Sequence, residues 1–233
     1  MDLHNVSTTS MMIVIVGSQL ISGILIFAYT SRQPRSRALN YFLLSKLLQP
    51  VAWIPLGLRA YMDGWLIIAA ANSLLFAVAA LELSAILILK DYYTPKVRKR
   101  YLSLLTGGII AFIILTASGF NESIRITAAS SVLALILAFP AYHLFSDKHS
   151  SPLQKTVAAA YSLAALLQAI RAVAAVTTTL DMSLTSSSLV NTWLFVFLFL
   201  QMTAGNMGFI LLAKEKQDAE LIQAATIDVL TNS

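Results

Sequence analysis

The sequence predicts an all-α polytopic membrane protein: a seven-transmembrane-helix bundle with its N-terminus outside and its C-terminus cytoplasmic. Three observations carry this. Only 12% of the 233 residues are charged, 58% are hydrophobic and the mean hydropathy is +0.75, whereas soluble domains carry about 25% charged residues. Uncharged apolar runs recur, each close to the ~20 residues a helix needs to cross a bilayer. Lys and Arg gather in alternate loops between these runs. The alternating pattern of a membrane barrel is absent.

The expected spans are residues 9–30, 39–59, 65–89, 101–118, 126–145, 156–176 and 189–212. The first follows Met1-Asp2-Leu3-His4, which has no base, so it reads as a retained helix rather than a cleaved signal peptide. In the second, Pro50 removes a backbone hydrogen bond and is expected to kink the helix. The fourth contains Gly107-Gly108, and the sixth is rich in alanine from Ala158 to Ala175. Small residues let membrane helices approach closely, for tight packing or for a dimer face. The seventh run passes from Leu212 into Lys214-Glu215-Lys216 with no Gly or Pro, so a membrane helix is expected to continue as a charged rod. The chain thus divides into a bundle over 1–212 and a signalling linker from 213.

Topology follows from the bases. Arg32, Arg35, Arg37, Lys90, Lys96, Arg98, Lys99, Arg100, Lys148, Lys155, Lys214 and Lys216 fall on one side, and only Arg125 and the helix-end Arg59 on the other. The first side is therefore cytoplasmic. The same bias accounts for the net charge of +5, so nucleic acid is not an expected partner. The outer segments are too short for a folded extracytoplasmic domain. Any stimulus must be read within the helices, at their outer mouth or from membrane lipid. Cysteine is absent, and the three histidines are scattered, so no metal site or thiolate chemistry is expected.

Ionisable residues inside a membrane are costly and mark candidate function. Lys46 and Glu82 lie at similar depth on adjacent antiparallel helices, which makes an intramembrane ion pair the simplest account of both. The pair could lock two helices or act as a proton-linked switch, and Lys46 could instead snorkel. In the outer half, Trp53, Arg59, Asn72, Gln168, Arg171 and Asn191 can line one ligand pocket. Two guanidiniums at that depth suit an anionic head group or carboxylate; alternatively they snorkel, or pair with Asp63 and Asp181.

At the tail, Asp228, Leu230 and Thr231 within Ala225-Thr226-Ile227-Asp228-Val229-Leu230-Thr231 match the Asp-x-Leu-Thr turn that opens GGDEF domains. The run Trp53…Gly57-Leu58-Arg59…Asp63-Gly64-Trp65…Asn72 is similar to the membrane part of many such proteins. The chain thus resembles the N-terminal membrane sensor region of a bacterial GGDEF-domain diguanylate cyclase, truncated at the start of that domain. That the linker spans 213–227, with 228–233 opening a further domain, is what the resemblance of the tail implies. The resemblance implies a multi-pass protein of the bacterial inner membrane. It also implies a homodimer, since two cyclase domains must meet, and a small-molecule or lipid ligand. GTP and Mg2+ would belong to the missing cyclase domain; this chain itself is expected to carry no cofactor and to be no enzyme. A small transporter or ion or proton channel, and a membrane anchor that only dimerises its partner, are the alternatives.

Because the chain has no cysteine, single replacements report topology directly. Ser123→Cys should react with a membrane-impermeant maleimide on intact cells, and Lys148→Cys only after permeabilisation. The opposite pattern would invert the bundle.

Overall fold

The computed structural model describes residues 8–31, 36–58, 64–148, 150–178 and 189–231. They form seven helices: α1 (Thr8–Thr30), α2 (Arg37–Leu58), α3 (Trp65–Leu89), α4 (Pro95–Ala117), α5 (Glu122–Ser146), α6 (Pro152–Thr177) and α7 (Leu189–Thr231). Six of the seven are long and apolar enough to cross a membrane, and α2 is not among those six. The architecture is that of a helical multi-pass membrane protein.

Local chemistry sets where these helices begin. Ser36, Thr94, Asn121 and Ser151 each accept a hydrogen bond from the backbone N–H three residues on, at Leu39, Val97, Ile124 and Gln154. Such caps satisfy N–H groups that a helix start leaves without an internal partner. Pro95 and Pro152 follow two of them, in the first helical position where a missing N–H costs nothing. The expected starts at 101, 126 and 156 are therefore corrected to Pro95, Glu122 and Pro152. Hydropathy assigns the basic run Lys96–Arg100 to a loop, whereas the cap and proline before it start a helix.

The C-terminus of α3 is equally specific. Asp91 adopts a left-handed φ of 61°, with Tyr92 N–H bonding Leu87 C=O at 2.8 Å and Asp91 N–H bonding Ile88 C=O at 3.1 Å. This is a Schellman ending, with aspartate where glycine is usual. Its side chain has a second use, described below.

Helix α3 is the axis of the bundle: it packs against α2, α4, α5 and α7, and Glu82 to Leu87 are all buried. Burial around the whole circumference marks an interior helix. The larger buried cluster contains Phe42 stacked on Phe209 at 3.8 Å and Phe76 edge-on to Phe112 at 5.7 Å. A smaller one joins Ile15, Trp53, Ala71 and Phe195. Helix α7 runs unbroken for 43 residues, so the expected boundaries at 212 and 228 fall inside one helix. Its backbone is helical where the resemblance leads one to expect a turn, and the side chains of Asp228, Leu230 and Thr231 lie outside the described residues.

Candidate functional site

Four helices meet at one carboxylate. Lys46 on α2 places its Nζ 2.7 Å from Glu82 Oε2 on α3, and the Tyr161 hydroxyl on α6 donates to Glu82 Oε1 at 2.9 Å. Lys46 also donates to Gln49 Oε1 at 3.1 Å, and its ammonium stands 5.0 Å from the centre of the Phe42 ring, a cation–π approach. Lys46 is fully buried and Glu82 nearly so. Burial of charge is tolerable only where pairing and hydrogen bonds replace water, and here each carboxylate oxygen has its own donor.

Helix α7 completes the cluster through the absence of a side chain. A Cβ at Gly205 would stand 2.5 Å from Glu82 Oε1 and 2.7 Å from the Tyr161 hydroxyl oxygen. Only glycine lets α7 come this close, so its distance from α3 and α6 is set at the level of the ion pair. One turn on, a Cβ at Gly208 would meet Val157 Cγ2 at 2.9 Å.

From this cluster a cavity of about 100 Å³ runs between the helices. It follows α3 from Asn72 to Glu82, about 15 Å at 1.5 Å per residue. A single water needs roughly 10–15 Å³ on the same measure, so the space suits several waters or one slender ligand. Trp53, Asn72, Gln168 and Arg171 line the part away from the ion pair, Gln49, Glu82 and Tyr161 the part near it, and Leu194, Leu198, Gln201 and Met202 the α7 side. Of the six residues expected to form a pocket, four thus share one cavity. Arg59 lies outside the described residues, and so does the side chain of Asn191.

The polar groups in this wall differ in how they are held. Arg171 donates to Ser130 Oγ at 3.1 Å and Asn72 to Ile68 C=O at 2.9 Å. Trp53 and Gln168 are each at least nine-tenths buried, yet the indole N–H of the first and the amide oxygen of the second have no partner among the described residues. A buried polar atom without a partner costs about 1–3 kcal/mol. One donor and one acceptor are thus in place for an occupant to satisfy.

The end of the bundle that carries the loop bases holds a second arrangement, which sequence reasoning missed. Where α7 leaves the bundle, Lys216 Nζ lies 2.7 Å from Asp91 Oδ2 and 3.0 Å from Leu89 C=O, while Ser151 Oγ donates to Glu215 at 3.0 Å. Lys90 approaches Glu215 at 3.7 Å. Beside this collar, Tyr92 donates to Asp147 Oδ2 and Gln154 Nε2 donates both to Tyr92 and to Leu144 C=O. Burial, and then the bond to Asp147, raise the Tyr92 phenol above its usual pKa. The collar joins residues from 64 to 127 positions apart, and no periodicity or spacing signals it.

Comparison of the chain with protein-family models, curated proteins and solved structures finds no match in any of the three.

Lys46→Met alone strands the Glu82 carboxylate and should cost about 3–5 kcal/mol. Adding Glu82→Leu should recover most of it. Thermal unfolding of the single and double variants in one detergent checks this, and a double variant as damaged as the sum of the singles would remove the pairing.

Proposed function

We propose that this chain is a membrane sensor. A small molecule or lipid occupies the cavity, shifts the balance between two positions of α7, and so regulates an appended cytoplasmic diguanylate cyclase. The observation that carries this reading is the continuity of α7. The same helix walls the cavity at Leu194, Leu198, Gln201 and Met202 and extends unbroken beyond the bundle to Thr231. A ligand shifts such an equilibrium only through different affinities for its two states; about 1.4 kcal/mol of difference changes the ratio tenfold.

The cyclase output rests on the resemblance over Asp228, Leu230 and Thr231. On this reading the basic end of the bundle faces the cytoplasm of a bacterial inner membrane, all seven helices cross it, and two chains pair. Two cyclase domains, each with GTP and Mg2+, then meet. One observation favours a second reading, a proton- or ion-coupled transporter: Glu82 lines the cavity. The geometry weighs against it, because both Glu82 oxygens and the fully buried Lys46 are committed to fixed partners.

The orphaned polar atoms provide the test. In Trp53→Phe and Gln168→Leu the unsatisfied atoms are gone, so the empty bundle should be as stable as the parent or more so, by about 1–3 kcal/mol. Native mass spectrometry of the protein purified from its membrane should then find a co-purified species in the parent and not in these variants. A parent with no bound species, and variants with unchanged cyclase output, would leave a membrane anchor as the better account.

A further inference from the structure

Away from the cavity, at the end of the bundle that carries the loop bases, a wide recess of about 660 Å³ opens between the start of α2 and the first turns of α4. Arg37 forms one wall, and Arg98, Lys99, Leu102, Ser103 and Thr106 lie along the other. We propose that this recess binds the phosphate-bearing head group of an anionic membrane lipid.

Three features point there. The cations come from helices whose contributing residues are some sixty positions apart. The general bias of bases towards one side of a membrane explains their side but not their convergence on one recess. None of Arg37, Arg98 and Lys99 has a carboxylate partner among the described residues, whereas Lys90 and Lys216 at the same end of the bundle do. Two guanidinium forks and an ammonium suit a phosphate, which accepts bidentate hydrogen bonds, and basic pockets between membrane helices hold lipid head groups in this way. The Ser103 hydroxyl lines the same recess and adds a further donor.

The surface below the cations selects a lipid over a free anion. Leu102, Thr106, Ile110 and Ile113 follow one another at helical spacing down the same side of α4. Leu102, Ile110 and Ile113 are 41%, 58% and 37% exposed. A head group held at Arg37, Arg98 and Lys99 thus lays an acyl chain along this apolar track. Since α2 also carries Lys46 and Gln49, a lipid at its first residue bears on the helix that supplies the buried cation.

Native mass spectrometry of the full chain with mixed phosphatidylglycerol and phosphatidylcholine tests the assignment. Each base near an anionic lipid surface contributes about fivefold in affinity, so Arg37→Gln/Arg98→Gln/Lys99→Gln should lose phosphatidylglycerol retention on the order of 100-fold. Lys148→Gln/Lys155→Gln/Lys214→Gln removes the same charge from the same end and should keep it. Equal loss in both triples would reduce the effect to diffuse charge and overturn the proposal. Undiminished retention in the first triple overturns it too, as does displacement of the lipid by glycerol 3-phosphate at equal concentration, which would make the ligand a soluble phosphate.

Discussion

The buried ion pair between Lys46 and Glu82 is the constraint on which the rest of the bundle depends. Isolated charges inside a bilayer are expensive, so the pair has to be closed off from every side. Phe42 and Gln49 on α2 flank the ammonium, Tyr161 on α6 occupies the free carboxylate oxygen, and Gly205 brings the α7 backbone against both. Replacing buried ion pairs by apolar residues is often neutral or stabilising. The pair is therefore better understood as a device that fixes geometry than as a source of stability. It sets how four helices stand to one another at a single depth.

Helix α7 is thereby held at two levels. At Gly205 it is confined by contact with Glu82 and Tyr161. Ten residues on, about 15 Å at 1.5 Å per residue, Glu215 and Lys216 tie it to the α5–α6 and α3–α4 connections. The two constraints differ in kind. The first is buried and steric; the second consists of part-exposed ion pairs, each worth about 0–1 kcal/mol. The helix is therefore firmly placed beside the cavity and lightly latched where it leaves the bundle. In the proposed sensor, an occupant of the cavity would act through this difference, shifting α7 against its buried contact and so releasing the light latch on the rod outside.

Much of this was legible in the sequence. Composition and the alternation of bases led to a helical membrane bundle. Counting residues from the helix ends put Lys46 and Glu82 at one depth, and Trp53, Asn72, Gln168 and Arg171 at another. The same counting says nothing about what faces a carboxylate from a distant helix. Tyr161 lies seven residues before Gln168, on the same helical face, and nothing in that spacing marks it as the partner of Glu82. Nothing in the sequence separates Gly205 from any other small residue, because its importance lies in what a Cβ would strike. The starts at Pro95 and Pro152 were hidden by hydropathy, which discounts charged turns, although the Thr94-Pro95 and Ser151-Pro152 capping signals were in plain view. The collar was not legible at all: Asp91 pairs with Lys216 only because the end of α3 lies beside α7 where α7 leaves the bundle.

The central claim is that the Glu82 cluster positions α7. Spin labels at Thr156→Cys on α6 and Ala219→Cys on the rod, in a chain with no other cysteine, report that position as a distance distribution. The account predicts a single narrow distribution in the parent and a shifted or broadened one when Glu82→Gln is added. An identical distribution in the two proteins would contradict it.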